Sequence, residues 1–367
     1  MKVYVKRRDR GGLWSVYSTV RVLLHYKINP NDSIFLGHAG EECSDYTSKY
    51  FPKHVEQALS SSTLDRIESS ITEAFVSFDN QILDQVRSVI PDPSALASMS
   101  DGDLDARIND QELGGANYQK VILNMRGTTA LISLLDDHRK NLWVAGLGDC
   151  RAILGVQLSD GQWEARDLIA PHNGSNATEM QKVKDQHPGE PEVTRNNRVL
   201  GAIAVTRAFG DAEFKLPAEY TWQVFLRANP GFRVHSSVED FTKRNLTPPY
   251  MSAVPDVVHV DLEADPTSGS TPHFLILTSD GAVDEHVLKL LGRTEAESFQ
   301  KWVELIGGRL NTQTGNQNEE DTQPSNLAVD LLREVFGGSN EELLSIFLTL
   351  GMESKWIDDT SIQVIVF

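Results

Sequence analysis

Cysteine is scarce in this chain: Cys43 and Cys150 are the only two among 367 residues. A disulfide framework is therefore not the stabilising device, and a reducing compartment is the natural setting. Long apolar runs are also missing, since none approaches the roughly 18–20 residues that cross a bilayer. Positive charge is in short supply, with 34 Lys+Arg against 52 Asp+Glu and a net charge of −18. A carboxylate surplus of that size repels phosphate backbones, which argues against a nucleic-acid partner bound through a basic footprint. The first ten residues, Met1–Arg10, are basic but lack the apolar core of a secretory signal and the Ser-rich run of a transit peptide. The expectation is a soluble intracellular protein without a transmembrane segment.

What is present is an ordinary globular balance of 40% hydrophobic and 23% charged residues. The length allows about two domains, but no Pro/Gly-rich linker separates two complete cores. Leu13–Tyr17 and Val20–Tyr26 have strand character, with a turn at Asn29-Pro30-Asn31-Asp32. Residues 41–59 predict an irregular helix. From Thr63 the period is plainly helical, with Leu64, Ile67, Ile71, Phe75, Phe78, Ile82, Val86 and Val89 on one face, Ser62 as N-cap, and Pro91-Asp92-Pro93 as the stop. Residues 91–120, acidic and rich in Pro, Ser, Gly and Asn, read as a flexible surface insertion. Strands are expected at 129–135, 142–147, 151–156, 164–169, 198–206, 256–263, 274–278 and 361–367. Their close spacing favours antiparallel sheets over βαβ units. A short helix is expected at Ser175–Lys184, a mixed insertion at 212–248, and helices near 284–291, 295–308, 325–336 and 339–350. A polar loop, Asn311–Ser325, interrupts the last group. No internal repeat is found.

The chemistry concentrates where apolar strands end in aspartate beside glycine. Phe274–Thr278 runs into Ser279-Asp280-Gly281, Leu142–Leu147 runs into Gly148-Asp149, and the last strand begins at Asp358-Asp359-Thr360-Ser361. Carboxylates gathered at sheet ends, with no Cys or His pair among them, are ligands for hard cations such as Mg²⁺ or Mn²⁺. Taken singly, each Asp reads first as a turn residue that terminates a strand.

Their order matches a known pattern. Gly37-His38-Ala39-Gly40, Gly127-Thr128-Thr129-Ala130, Gly148-Asp149-Cys150-Arg151-Ala152, Thr206-Arg207-Ala208-Phe209-Gly210-Asp211, Ser279-Asp280-Gly281-Ala282-Val283-Asp284 and Asp358-Asp359-Thr360-Ser361 resemble, in sequence order, the motifs of the PPM-type (type 2C) metal-dependent protein Ser/Thr phosphatases. Ala170-Pro171-His172-Asn173 through Glu179, His187-Pro188-Gly189-Glu190, Ala212-Glu213-Phe214-Lys215 and Pro248–Ala253 are similar to the mitochondrial pyruvate dehydrogenase phosphatase branch.

The resemblance implies an α+β fold, a four-layer αββα sandwich with two central antiparallel sheets. The phosphatase domain would run over 37–367 with insertions at about 91–120, 212–248 and 311–325. It implies two Mg²⁺ or Mn²⁺ ions, with water attacking phosphorus in line. Asp280, Asp358 and the Gly37 carbonyl would be metal ligands, Asp149 and Asp284 would serve a further metal site, and His38 would be the general acid. The implied partner is a phosphoprotein, pyruvate dehydrogenase E1 in the mitochondrial matrix. No presequence is recognisable, which otherwise leaves the cytoplasm.

One position departs from the family. Where the aspartate bridging both metals should precede Gly37-His38, this chain has Leu36. The family's Glu-Asp strand and phosphate-binding Arg have no counterpart in residues 1–35. Thr19–Leu36 interrupts the strand pattern begun at Gly11–Tyr17, so 1–36 reads as an atypical segment, incomplete or mis-spliced. Leucine cannot ligate a cation, which raises the alternative of an inactive pseudophosphatase acting as a binding scaffold. Other assignments stay open between two roles. Arg207 orients phosphate-site carboxylates or forms a structural salt bridge. Cys150 reads as a packed thiol rather than a nucleophile, Gly127–Thr129 as a strand start rather than a phosphate nest, and Trp163 and Trp222 as core or insertion anchors.

Overall fold

A computed structural model of the chain describes residues 4–6, 15–17, 33–60, 62–91, 99–263, 269–315, 326–349 and 358–367. The expected strand at Val20–Tyr26, the turn at Asn29–Asp32 and most of Thr19–Leu36 lie outside them, as do 92–98 and 316–325. In chain order the elements begin with β1 (Tyr4–Lys6), β2 (Ser15–Tyr17), β3 (Ser33–Ile34), β4 (Gly37–His38), α1 (Glu42–Leu59), α2 (Ile67–Val89), α3 (Asp101–Ile108) and α4 (Ala116–Asn124). Next come β5 (Gly127–Thr128), β6 (Ala130–Leu135), β7 (Asn141–Leu147), β8 (Arg151–Gln157), β9 (Trp163–Asp167), α5 (Ala177–Gln186), β10 (Thr194–Arg195), β11 (Arg198–Val199) and β12 (Phe209–Gly210). The chain continues through α6 (Ala218–Gln223), α7 (His235–Thr242), β13 (Asp256–Asp261), β14 (Thr271–Thr278), α8 (Glu285–Leu291), α9 (Glu295–Gly315), α10 (Leu327–Val335), α11 (Glu341–Thr349) and β15 (Ile362–Val366).

Two antiparallel four-stranded sheets form the centre, in the orders β13-β7-β6-β3 and β15-β14-β8-β9. Alternation along the strands decides what lies between them. Leu131, Leu142 and Val144 from one sheet share an apolar cluster with Ala152, Leu154, Val156, Leu275 and Leu277 from the other. The opposite face of the first sheet, through Ile132, Leu134, Trp143 and Ala145, packs on α1 and α2. The outer face of the second, through Ile153, Phe274 and Ile276, packs on α8 to α11. The result is the αββα sandwich.

The 3.6-residue period of α2 buries Ile67, Ile71, Phe75, Phe78, Ile82, Val86 and Val89. Each such burial contributes roughly 1.5–3 kcal/mol. A mostly edge-to-face cluster of Phe51, Phe75, Phe78 and Phe209 joins both helices to β12, so the helical layer fixes the strand that leads into Asp211.

Several expectations are corrected. The 91–120 segment is not wholly flexible, for residues 101–108 and 116–124 are regular. They fold as α3 and α4, bury Leu104, Ile108, Val121 and Ile122, and share a core with Leu216, Tyr220 and Phe225 of the 212–248 segment. Arg227 reaches Asp101 and Asp105, so the acidic composition is locally paired. Ser62 is not an N-cap; its hydroxyl bonds Ala58 O and Ser70 Oγ. The strand expected at 198–206 is the short β10–β11 hairpin with isolated bridges Val199–Ile203 and Asn173–Val205. Asn196 and Asn197, both at positive φ, form its two-residue turn. Residues 311–315 continue α9 instead of opening a loop. Trp163 lies against Gly307 and Phe274, and Trp222, in the 212–248 segment, is 36% exposed.

Candidate active site

A third, short sheet in the order β12-β5-β4 builds one half of the site, with Gly127 paired to both Gly210 and His38. His38 Nε2 meets Asp211 Oδ2 at 2.7 Å directly above Gly127. A Cβ on Gly127 would sit 2.1 Å from that carboxylate oxygen and 2.2 Å from the ring nitrogen, so only glycine fits. Burial pulls the His38 pKa down, but the charge and hydrogen bond of Asp211, helped by Asp149, carry it above its ordinary value.

The other half is carboxylate. Asp149 follows Gly148, whose φ of +104° and close seat on Thr129 suit only glycine. Asn173 Nδ2 donates to Asp149 Oδ2 at 3.2 Å, and His172 Nδ1 accepts the Gly148 N–H at 3.2 Å. Asp280 lies two residues past the end of β14, at the start of a short 3₁₀ turn. The 358–361 segment is knitted to it: Ser279 Oγ donates to Asp359 O at 2.9 Å, and the Ser361 N–H donates to Ser279 Oγ at 2.9 Å. Asp358 thus comes up beside Asp280. Burial, then the charges of Asp149 and Asp358, push the Asp280 carboxyl up to about 8. Burial likewise raises Asp149, with Asp358 adding to it.

Asp280 Oδ1 is buried without a hydrogen-bond partner. An orphaned buried carboxylate oxygen, held among two more carboxylates, fits a hard divalent cation supplied from outside. Among the described residues, no three His, Cys, Asp or Glu side chains converge tightly enough to enclose an ion by themselves. Between β3 and β4, Leu36 offers nothing. Its side chain joins the apolar cluster between the sheets, and its carbonyl accepts the Thr129 N–H at 3.1 Å. Asp284 caps α8 by accepting the N–H groups of His286 and Val287, at 2.7 and 3.3 Å. Gly37 sits in β4 against Ser44.

Arg207 makes the structural salt bridge, and through it a link to the site. Its guanidinium spans Glu179 and Asp256, while Asp256 Oδ2 lies 3.1 Å from His172 Nε2. Cys150 is a buried thiol 3.3 Å from Thr129 Oγ1, and burial raises its pKa far out of the nucleophilic range. The sequence motifs include Asp211, His172, Asn173, Glu179 and Lys215 but give them no role, and Asp256 and Asp79 lie outside every motif. For Asp211 the signal was there, since Phe209-Gly210-Asp211 repeats the apolar-Gly-Asp layout of Leu147-Gly148-Asp149. The partners of Arg207 carry no local signal, because they lie 28 and 49 positions away.

A family model described as Protein phosphatase 2C matches residues 32–285 of this chain, well over half its length. The chain belongs to the protein phosphatase 2C family, whose members generally depend on Mg²⁺ or Mn²⁺. It is 29% identical over 363 residues to the Protein phosphatase 2C homolog C10F6.17c of Schizosaccharomyces pombe, covering 91% of this chain and 72% of that protein. It is 27% identical over 368 residues to the human mitochondrial pyruvate dehydrogenase (acetyl-transferring) phosphatase 1. Human phosphatase 2 of the same designation is 27% identical over 373 residues. These two alignments cover 94% of this chain, which spans 63% of the length of either human protein.

Proposed function

We propose that this chain hydrolyses phosphoserine and phosphothreonine in proteins, with Mg²⁺ or Mn²⁺, through one phosphatase domain over 37–367. The observation that carries the reading is buried Asp149 and half-buried Asp280 with exposed Asp358 beside them, an oxygen of Asp280 being left unpaired and a raised-pKa histidine lying nearby. Asp280 and Asp358 would hold the cation with the Gly37 carbonyl, and Asp149 with Asp284 would serve a weaker site. The bound cation would offset phosphate charge and make water a better nucleophile at neutral pH. His38 would hold a proton for the departing serine or threonine oxygen, whose alkoxide is a poor leaving group. Asn173 would keep Asp149 turned toward the site. The names of the human relatives support pyruvate dehydrogenase as substrate and the mitochondrion as setting, and the E1 subunit and the matrix are the finer reading that the sequence resemblance implies.

A second reading is favoured by one residue. Leu36 leaves the bridging position apolar, so a scaffold that binds partners without turning over phosphate is the alternative. An assay on p-nitrophenyl phosphate with Mn²⁺, beside an Asp280→Asn control, separates the two. Turnover above the control supports the enzyme, and equality supports the scaffold. Release of phosphate from phosphorylated pyruvate dehydrogenase E1, compared with an unrelated phosphoprotein, tests the substrate.

A further inference from the structure

His38 and Asp211 approach from the two outer strands of the short sheet and meet over the central one. The Asp211 side chain is only 2% exposed, and a buried carboxylate is costly unless it is paired. Its backbone occupies the left-handed region at φ 51°, an uncommon conformation for a non-glycine residue that must be held from outside. The holding groups are visible. The Asp211 N–H donates to Arg126 O at 3.0 Å, and the preceding Gly210 N–H donates to Asp79 Oδ1 at 2.9 Å. Lys215 Nζ donates to Asp79 at 2.8 Å and to Ala208 O at 2.7 Å, closing the loop on itself. A buried ion pair from α2 thus clamps the turn that presents Asp211.

We infer that Asp211 is a positioning residue for His38, fixing its ring so that Nε2–H stays on Asp211 and Nδ1 is the nitrogen that delivers the proton. The inference rests on the phosphatase reading for His38. As the scissile P–O bond breaks, its electron pair goes to the departing serine or threonine oxygen. That oxygen takes the Nδ1 proton and leaves as the neutral alcohol. The water oxygen forms the new bond to phosphorus and releases a proton to solvent. His38 is left a neutral imidazole with Nε2–H still on Asp211.

Two measurements on the full chain test it, the NMR with diamagnetic Mg²⁺ and the turnover with Mn²⁺. In ¹⁵N-histidine NMR, the signal missing from His38→Gln identifies His38, and its Nε2-bound proton should be shifted downfield by the carboxylate. Asp211→Ala should abolish that shift. Asp211→Asn, whose side chain tolerates the left-handed backbone, carries the test if the alanine variant does not fold, and should move the signal as well. In turnover, either variant should lower kcat on a phosphoserine peptide by about 10–100-fold with KM unchanged. On p-nitrophenyl phosphate, whose leaving group needs no proton, the loss should stay under about 3-fold. Equal losses on the two substrates, or an unmoved His38 signal, overturn the inference. A wild type inert toward both substrates removes the phosphatase reading, and the NMR signal alone then decides whether Asp211 fixes the ring.

Discussion

Arg207 grips Glu179 with two parallel hydrogen bonds, Nε to Oε2 at 2.9 Å and Nη2 to Oε1 at 2.7 Å. Its remaining arm, Nη1, reaches Asp256 Oδ1 at 2.8 Å and Val254 O at 2.9 Å. One side chain therefore ties α5 to β13 and, through Asp256 and His172, to the turn that carries Asp149. Burial works against the Glu179 charge, but the bonds from Arg207 and Lys182 win and hold its pKa down to about 2.

That depression makes stability pH-dependent with a definite sign. The folded carboxyl titrates below its ordinary 4.5, so the stabilisation is fully present above 4.5 and is lost as pH falls toward 2. The contribution is on the order of 2–3 kcal/mol. Urea unfolding of the wild type should show a midpoint drop between pH 6 and pH 3 that Glu179→Gln reduces. Arg207→Lys cannot reproduce the two-pronged geometry and should cost about 1–3 kcal/mol at pH 7.

Asp280 predicts the reverse of an ordinary core substitution. Its carboxylate is buried beside Asp149 and Asp358 with Oδ1 unpaired, which destabilises the fold when no cation is bound. Asp280→Asn removes a carboxyl that the folded chain ionises only near pH 8, and at pH 8.5 it should raise the metal-free thermal midpoint, by about 1–3 kcal/mol in stability. It should also remove most of the upward shift that Mn²⁺ gives the wild type. Thermal melts in EDTA and in Mn²⁺ read both effects. A metal-free midpoint lowered by the substitution counts against the repulsion argument.

Leu36→Asp works in the other direction. The leucine side chain joins the apolar cluster with Ile34, Leu131 and Leu277, so an aspartate there should cost about 1–3 kcal/mol in EDTA. Saturating Mn²⁺ should recover more of that loss than it adds to the wild type, because the family resemblance makes position 36 that of the carboxylate bridging the metals. Activity on p-nitrophenyl phosphate should rise with it.

Much of the sandwich was legible because it rests on local period. The α2 stripe from Ile67 to Val89 and the runs of β7, β8 and β14 each announce their element within a few residues. Residues 101–124 misled because their acidic composition hides Leu104, Ile108, Val121 and Ile122, which become a core only against Leu216, Tyr220 and Phe225. The site divides the same way. Asp149, Asp280 and Asp358 stand at strand ends and are visible as such. The buried partners of Arg207 and Lys215 come together by topology, and nothing near them in the chain marks the pairing.

Lys215 and Asp79 carry the last prediction. They form a buried pair at 2.8 Å, with Lys215 also bonded to Ala208 O and Asp79 to the Gly210 N–H. Burial raises the Asp79 pKa, and the lysine and the Gly210 N–H counter it. Removing one partner leaves the other charge unpaired in the core. Asp79→Ala or Lys215→Met alone should therefore cost about 3–5 kcal/mol. The double substitution Asp79→Leu with Lys215→Met removes both charges and should recover most of the loss in urea unfolding. Stability would return without the clamp on the Asp211 turn. The double variant should then keep the fold while the His38 Nε2 proton signal loses its downfield shift. Losses that simply add in the double variant would show that the pair does not act as a unit.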